Sequence, residues 1–351
     1  MPVSHAAIFS AILAHRRDDD AVCEPQPANL NWFEQFRHHH SPVLGMEAQG
    51  SAGALCSPCC SSSIEIPSGE RTNAICPSRG GRLIVTPPAC SRAIAAAAVG
   101  AEAPANPFAI VLGTAQDGGF PQAGCKKDCC KNAWGDVAMR RDPASLGIID
   151  PVSDQRWLIE CTPSFPRQAR RFDTAHPKLA GRIDGILLTH AHIGHYAGLL
   201  HLGREVMGAD GVPVHVMPRM EKFLRTQGPW SQLVGLKNIA LRPMREGRAF
   251  ALNERLRVTP FLVPHRDEFS ETVGFRIEGQ RQKILWLPDI DKWERWETPL
   301  EKALAGVDVA YLDATFYADG ELGGRDMSKI PHPFIAETMR RLKNQPAAVR
   351  A

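Results

Sequence analysis

The stretch HAHIGHYAG, residues 190–198, is the part of this chain that says most about its fold and about what it can bind. Its first two histidines follow the apolar run at residues 185–189, and a third comes at the start of a helix-like segment. A strand end directs alternate side chains into a crevice, and the first helical turn returns a third one there. Imidazoles bind zinc or iron, and a catalytic ion needs three protein ligands plus an open position. The stretch therefore predicts a metal site, the alternative being three histidines satisfied by hydrogen bonds in a crevice.

Composition limits the class of protein. The chain has 351 residues, of which 44% are hydrophobic, and this is enough for a sizeable core. A formal net charge of +3 is too small to indicate nucleic-acid binding, and no run of Lys and Arg is interleaved with aromatic residues. No apolar segment reaches the roughly 18 residues that a transmembrane helix needs. We therefore expect neither a nucleic-acid partner nor a membrane span.

Two domains of very different character are predicted. Residues 1–106 are rich in Ala, Pro, Ser and Cys and have no sustained periodicity, which predicts a low-complexity, mostly disordered extension. Residues 107–345 are predicted to form the globular domain. Within the extension, residues 82–103 are typical of an alanine-rich linker or of an export signal that lies inside the chain, where it cannot act. We expect a cytoplasmic protein, with a periplasmic location requiring translation to start near residue 82.

Beyond residue 108 the sequence predicts an α+β fold. Short β-branched runs predict strands at residues 109–113, 147–150, 157–160, 185–189, 212–217, 257–263, 272–278, 284–287 and 307–312. Helices are predicted at residues 166–175, 196–207, 219–227, 299–305 and 333–342. Clustered strands with helices between them favour two sheets with helices on their outer faces. Connections of the βαβ type are too few for a doubly wound parallel sheet.

The motif and the segments after it resemble one family. LLTHAHIGHYAGL resembles the HxHxDH motif of the metallo-β-lactamase superfamily, and His265 in LVPHRDE matches the next metal histidine of that family. Asp289 in ILWLPDID matches its bridging aspartate. The segments VLGTAQDGGFPQAGC, DATFYADGEL and MSKIPHPF are most similar to the branch that contains protein B of pyrroloquinoline-quinone biosynthesis. The likeness spans residues 108–342 and implies an αββα sandwich with its metal at the sheet edges.

This resemblance also implies which residues bind metal. His190, His192 and His265 would form one three-imidazole site, which is a complete ligand set for one catalytic ion. His195 and Asp289 would belong to a second site.

Two departures from the family bear on that second site. Gly194 stands where the family has an aspartate that binds the second ion and orients the attacking water. The sequence ends with QPAAVRA. It therefore lacks the last metal histidine, the final strand and the final helix of the family, and we expect an incomplete sandwich with an exposed edge. These departures indicate either a fragment or an abandoned second site. We predict a mononuclear site at His190, His192 and His265, with Asp289 as its fourth ligand or as a partner of the water.

Four other residues are candidates for proton transfer. Asp267 and Glu268 follow His265, and Asp313 ends a strand, but turn or surface roles are favoured for all three. His332 lies between two prolines near a helix start. By resemblance to related phosphodiesterases of the superfamily, it is predicted to donate a proton or to bind substrate, the alternative being a capping or surface role.

A second, structural metal site is predicted at Cys125, Cys129 and Cys130. In the resembled branch a tight cysteine cluster follows the phrase FPQ and is similar to a zinc knot, and Lys127 here replaces its middle thiol. Cys129 can substitute, because thiolates close in sequence share one zinc. The alternative is three free buried cysteines. The preceding Gly118-Gly119 pair predicts a tight turn beside the metal cleft.

The resulting functional prediction is a metal-dependent hydrolase of an ester, lactone or phosphodiester, with Asp289 and His332 as catalytic residues. It would use one or two zinc ions, with iron as an alternative, and act on a small-molecule or peptide-derived substrate. The resemblance implies a link to pyrroloquinoline-quinone biosynthesis. Two alternatives stay open: a non-catalytic metal-binding carrier, and an iron-dependent oxygenase on the same fold.

Overall fold

The computed structural model describes residues 11–14 and 106–343. Its strands are β1 Ala11–Ala14, β2 Phe108–Gly113, β3 Ser145–Asp150, β4 Gln155–Ile159, β5 Gly185–Leu187, β6 Val212–Val216, β7 Ile239–Pro243, β8 Phe250–Ala251, β9 Arg257–Leu262, β10 Val273–Glu278, β11 Lys283–Leu287 and β12 Val309–Leu312. Its α-helices are α1 Asp128–Gly135, α2 Phe165–Ala175, α3 Ile193–Tyr196, α4 Pro218–Thr226, α5 Trp230–Gly235, α6 Leu300–Ala303 and α7 Ile335–Leu342. Short 3-10 turns cover Val137–Met139, Pro177–Leu179, Ala197–Leu202, Trp293–Arg295 and Met327–Lys329.

These strands form two mixed sheets of six. One sheet has the order β2-β3-β4-β5-β6-β7, with β4 to β7 parallel and the two pairs before them antiparallel. The other has the order β1-β12-β11-β10-β9-β8, in which only β11 and β12 run parallel. The prediction of an α+β fold with two sheets is confirmed.

The sheets pack face to face with helices outside them. β3 illustrates this arrangement, because Leu146 and Ile148 lie in one apolar cluster and Ile149 lies in another. The first cluster joins the two sheets through side chains such as Trp157 and Phe275. The other two clusters lie under the outer helices. The cluster that contains Ile149 packs against α2, α4 and α5, and the third packs against α6 and α7. Alternating side chains of a strand therefore serve both the inter-sheet core and a helix layer, which is an αββα sandwich.

Strand direction brings the chemistry-bearing loops to one edge. β9, β11 and β12 run the same way in one sheet, and β2 and β5 run the same way in the other. Their carboxyl ends therefore lie together at one edge within each sheet. The loops that follow, together with the short helix α3, carry the candidate metal ligands described below.

Several elements differ from their predictions. The predicted helix at residues 196–207 is wrong: α3 ends at Tyr196, a 3-10 turn follows to Leu202, and turns continue to residue 207. Glycines at 198 and 203 lower helix propensity there, and the carbonyl oxygen of Thr162 lies where a side chain at 198 would begin. The prediction omitted α1, α5, β7 and β8, which are short or lack a clear period. β1 pairs with β12, so this sheet ends at β1 and not at β12.

Other predictions concern parts of the chain that are not described. Apart from β1 and residue 106, the extension at residues 1–106 lies outside the described residues, and so does its export-like segment. The division into an extension and a domain at residues 107–345 stays a prediction. Within the described part of the chain, no helix combines the length and the apolar composition that a membrane span requires.

Candidate metal centre

Three imidazoles and one carboxylate converge at the sheet edge. His190 and His192 follow β5, His265 follows β9, and Asp289 follows β11. One ligand atom from each lies within 4.8 Å of those of the other three. Nε2 of His190 is 2.9 Å from Nδ1 of His192 and 3.3 Å from Oδ2 of Asp289. The residues predicted to hold one ion are thus brought together around a common point.

Contacts outside the cluster fix how these ligands point. The Nδ1 atom of His190 lies 2.9 Å from the Thr189 hydroxyl, so its Nε2 faces the cluster. His192 is reversed, with Nε2 held 2.9 Å from the Glu268 carboxylate and Nδ1 facing inward. Gln116 donates from its amide to Oδ1 of Asp289 at 3.4 Å, which leaves Oδ2 toward the imidazoles. Such outer partners orient the ligands of a metal and select the ring nitrogen that binds.

His265 provides the test of whether a metal fits. Its side chain is fully buried, and neither ring nitrogen has a hydrogen-bond partner within the described part of the chain. Leaving a buried polar atom without a partner costs about 1 to 3 kcal/mol, so such atoms mark places where a water or an ion binds. Nε2 of His265 lies 3.7 Å from Oδ2 of Asp289. A cation between them would satisfy the nitrogen, and the donor set fits zinc or iron.

A second group of ligands shares Asp289. Asp117, in the loop after β2, places Oδ1 3.1 Å from Nε2 of His195, and that nitrogen lies 3.2 Å from Oδ2 of Asp289. These three ligand atoms lie within 4.8 Å of one another. On the far side of the His195 ring, Nδ1 is 3.5 Å from the buried carboxylate of Glu160. The structure therefore keeps His195 and Asp289 together, as the resemblance implied, and adds Asp117.

Sequence reasoning missed Asp117 and Glu160. Asp117 carries one usable signal, since it is an acid directly before the Gly118-Gly119 pair at a strand end, which is where this fold gathers its ligands. That pair does form the predicted turn: the Gly119 amide donates to the Gln116 carbonyl at 2.7 Å, and Gly119 has a φ of 68°. Glu160 gave no signal, because it sits at the end of a buried strand. Its backbone φ of 69° shows that the site holds it in a left-handed conformation.

Burial and charge divide the imidazoles into two electrostatic types. Burial lowers the pKa of His190 to about 3 and that of His265 to about 4, so both stay neutral at pH 7. Neutral imidazole is the form that binds a metal. Burial also disfavours a charge on His195, but the carboxylates of Asp289 and Glu160 outweigh it and hold its pKa well above 6.5. Burial would raise the pKa of Asp289, yet His195 and His190 hold it well below its usual value.

His332 lies beside the centre and is fixed by Asp313. The Asp313 carboxylate, directly after β12, is 2.7 Å from Nδ1 of His332, and the Thr315 hydroxyl is 3.2 Å from the same nitrogen. Lys292 donates to the backbone carbonyl of His332 at 2.6 Å. Burial lowers the pKa of His332, but the charge of Asp313 and its hydrogen bond raise it to about 9. The ring centroids of His332 and His265 are 5.3 Å apart.

The other acids considered as bases are engaged elsewhere. Asp313 accepts from the backbone amides of Ile290 and Thr315 as well as from His332, so it organises the loop. Asp267 accepts from the Thr272 hydroxyl at 2.8 Å. Glu268 supports His192. Each of the three has a structural partner within the described residues.

The three predicted thiols form a separate group. Cys125 lies before α1, and Cys129 and Cys130 lie in its first turn, with Sγ atoms 3.9 Å apart between Cys125 and Cys129 and 4.0 Å apart between Cys129 and Cys130. The backbone amide of Lys127 lowers the pKa of Cys125, whereas burial raises that of Cys130 to about 11. The described residues bring no fourth His, Cys, Asp or Glu into this group. Zinc binding here stays a prediction.

Comparisons with known proteins agree with this architecture. Residues 155–349 match the family model described as the beta-lactamase superfamily domain. The coenzyme PQQ synthesis protein B of Xanthomonas campestris pv. campestris (strain B100) is 28% identical over 233 residues, which are 61% of this chain and 74% of that protein. Its counterpart in Methylobacterium sp. (strain 4-46) is 28% identical over 231 residues, covering 61% of this chain and 75% of that protein.

Two solved structures share the fold. Zn²⁺-bound PqqB from Methylobacterium extorquens aligns with a TM-score of 0.54 at 22% identity, over 64% of this chain and 80% of that one. A diphosphatase from the PhnP family aligns with a TM-score of 0.50 at 21% identity, over 68% of this chain and 82% of that one. Together with the family match and the sandwich of two sheets, these findings identify the chain: it belongs to the metallo-β-lactamase superfamily.

Proposed function

We propose that the domain at residues 107–345 is a metal-dependent hydrolase whose cation is held by His190, His192, His265 and Asp289. One observation carries this proposal: the buried His265 has two ring nitrogens without a hydrogen bond, and one lies 3.7 Å from a carboxylate oxygen that also faces His190. A hydrogen-bonded histidine cluster would not leave that ring unsatisfied. Zinc is the proposed ion, which three imidazoles and a carboxylate suit and which a relative of the same fold binds.

When bound, such a cation lowers the pKa of a water to about 7 and polarises the oxygen of an ester, lactone or phosphodiester. The side chains of the protein orient the ligands and the water. Glu268 and Thr189 hold His192 and His190 in their binding orientations. Asp289 keeps one oxygen on Gln116 and turns the other toward the imidazoles, where it can bind the cation and accept a hydrogen bond from the attacking water. Asp289 is therefore the proposed catalytic carboxylate.

His332 is the proposed proton donor to the leaving group. Its Nδ1 is committed to Asp313, which leaves Nε2 to face substrate. With a pKa of about 9 it carries its proton at neutral pH. A positioned general acid contributes about 10²- to 10⁴-fold to a rate. Lys292 and the loop contact between Phe316 and Ile335 hold the segment that carries it.

The proposed substrate is a small or peptide-derived molecule linked to pyrroloquinoline-quinone biosynthesis. Relatives named coenzyme PQQ synthesis protein B, 28% identical over 61% of this chain, support this link. We also propose a structural zinc at Cys125, Cys129 and Cys130, supported by three Sγ atoms within 4.8 Å of one another. Three thiolates leave one position of a tetrahedral zinc for a ligand from outside the group.

Elemental analysis with a turnover assay tests the proposal. Full-length protein, stripped by chelator and reloaded with zinc, is expected to hydrolyse a model ester or phosphodiester, and His265→Ala is expected to lose at least one bound ion. Asp210→Ala is the matched control, because it removes an exposed aspartate outside every ligand group. Tightly bound iron with oxygen consumption would instead establish the oxygenase. Bound cation without turnover on any substrate class would establish the carrier.

A further inference from the structure

We propose that Asp117 supplies the carboxylate that the motif lacks at Gly194, so that the centre binds two divalent cations rather than one. The second ion would be held by Asp117, His195 and Asp289, with Asp289 shared between the ions. This inference rests on the proposed function, since it deepens the same centre. It replaces the prediction of a mononuclear site.

The spacing of the three ligand atoms fits one ion. Ligand atoms about 2.0 to 2.2 Å from a tetrahedral zinc lie about 3.3 to 3.6 Å from each other. Oδ1 of Asp117 is 3.1 Å from Nε2 of His195, which is 3.2 Å from Oδ2 of Asp289. Two carboxylates and one imidazole form a ligand set that zinc, manganese and iron all accept. Three protein ligands leave open positions for water or substrate, as at a catalytic ion.

Gly194 and Asp117 fit each other sterically. A Cβ atom built on Gly194 would lie 2.5 Å from Cα and 2.6 Å from Cγ of Asp117, closer than real Cβ contacts allow. The space in which the motif aspartate would begin is therefore already filled by the backbone and carboxylate of Asp117. The absence of a side chain at 194 is what lets this second carboxylate reach His195. Gly194 marks a relocated ligand, and no ligand position is lost.

The loop that carries Asp117 is held firmly. The backbone amides of Thr114 and Ala115 both donate to the Asp142 carbonyl at 2.9 Å, and the Ala144 amide donates to the Ala115 carbonyl at 2.8 Å. The Gly119 turn closes the other side of Asp117. Gln116, its neighbour, reaches both Asp289 and Thr315. A ligand on a fixed loop loses little conformational freedom on binding, which favours affinity.

Two further observations point to an ion at this position. A small cavity opens directly on the group, lined by Asp117, His195 and Asp289 together with Ala115, Pro143 and Ala144. Behind His195, the buried Glu160 keeps Oε1 3.5 Å from Nδ1, and neither atom has a hydrogen-bond partner among the described residues. A carboxylate behind an imidazole is the usual outer support of a metal-binding histidine. The competing explanation is a plain ion pair between Asp117 and His195.

Metal counting on paired variants separates the ion from the ion pair. Full-length protein, Asp117→Ala and Asp117→Asn would be stripped, reloaded with excess zinc, desalted and analysed for zinc per chain. We expect the parent to hold one equivalent more than either variant. The thiol group is intact in all three, so it cancels in the difference. Asp210→Ala is the control, and thermal unfolding without metal checks that each variant folds.

A variant at the glycine gives a second, independent result. In Gly194→Ala the added Cβ atom would lie 2.5 Å from Cα of Asp117, so the loop that carries Asp117 must move away, and we expect this variant to lose the same equivalent of zinc. Equal zinc in the parent and in Asp117→Ala would overturn the inference and favour the ion pair, while a loss confined to His265→Ala would leave the mononuclear hydrolase standing. Unchanged zinc in both His265→Ala and His190→Ala would remove the proposed function itself.

Discussion

The imidazole centre and the thiol group are both compact sets of ligand atoms, yet their surroundings differ. The four ligands of the imidazole centre, His190, His192, His265 and Asp289, come from the segments after three strands, and three of them have an outer partner: Thr189, Glu268 and Gln116. The three thiols come from six consecutive residues, and only Cys130 is buried. Their contacts are mainly with each other and with the Gln122 amide.

This difference shows what each site can contribute. Ligands gathered from distant strands can be held apart, so positions stay open for water and substrate. Ligands from one short segment cross-link that segment and do little beyond it. We therefore expect the imidazole centre to carry chemistry and the thiol group to stabilise the loop before α1.

The largest expected effect comes from removing a ligand of the imidazole centre. His265→Ala should lower hydrolysis by about 10³-fold or more, because Lewis-acid stabilisation supplies several kcal/mol. Steady-state kinetics at saturating zinc measures the loss. Cys130→Ser is the counterpart from the thiol group and should keep most of the rate. Equal losses in the two variants would erase the distinction between the sites.

A smaller but still large effect is expected at His332. His332→Gln should lower kcat by about 10²- to 10⁴-fold on a substrate with a poor leaving group. The parent rate should fall as the pH rises through about 9, since the protonated ring donates and is lost above its pKa. In the variant this basic limb should vanish, which a pH profile of kcat would reveal. If the basic limb persists in the pH profile of the variant, the titration belongs to a group other than His332.

Outer support of the imidazole centre is expected to matter less than its ligands. Glu268→Gln removes the charge that holds Nε2 of His192 and should weaken zinc binding by about 10- to 100-fold. Competition against a chromophoric chelator measures this affinity. Glu271→Gln is a matched control in the same loop, because Glu271 contacts the backbone of Arg219 instead. If both variants bind zinc equally well, Glu268 does not support the centre.

The smallest effect on activity is expected at the thiol group. Cys130→Ser should reduce the zinc content by up to one equivalent and lower the melting temperature by a few degrees, the usual result of losing about 1 kcal/mol in a domain of this size. Its kcat should change less than threefold. Calorimetry with and without chelator measures the stability. An unchanged melting temperature and zinc content would show three free cysteines.

Much of the fold could be predicted from the sequence because the long strands are strongly apolar. The β-branched runs in β3 to β6 and β9 to β12 correspond to the predicted strands. Elements without a clear period were missed: α1 is short and mostly polar, and β7 ends in Arg242 and Pro243. The predicted helix at residues 196–207 was wrong because the apolar spacing suggested a helix while its glycines favour turns.

The candidate site also has a part that could be predicted from the sequence and a part that could not. The close spacing of His190, His192 and His195 predicts that their side chains converge, because the local geometry of a strand-to-helix junction fixes their directions. His265 and Asp289 required the family resemblance, since 75 and 99 residues separate them from His190. Asp117 was missed because its position beside His195 depends on a tertiary contact with Gly194, which neither spacing nor composition records.

Anomalous scattering at the zinc edge, from crystals of zinc-loaded protein, would show whether an ion lies between the three imidazoles. We expect a peak within about 2.3 Å of Nε2 of His190, Nδ1 of His192 and Nε2 of His265. Well-ordered rings with water at their centre and no peak, in protein that has been reloaded with zinc, would contradict the account.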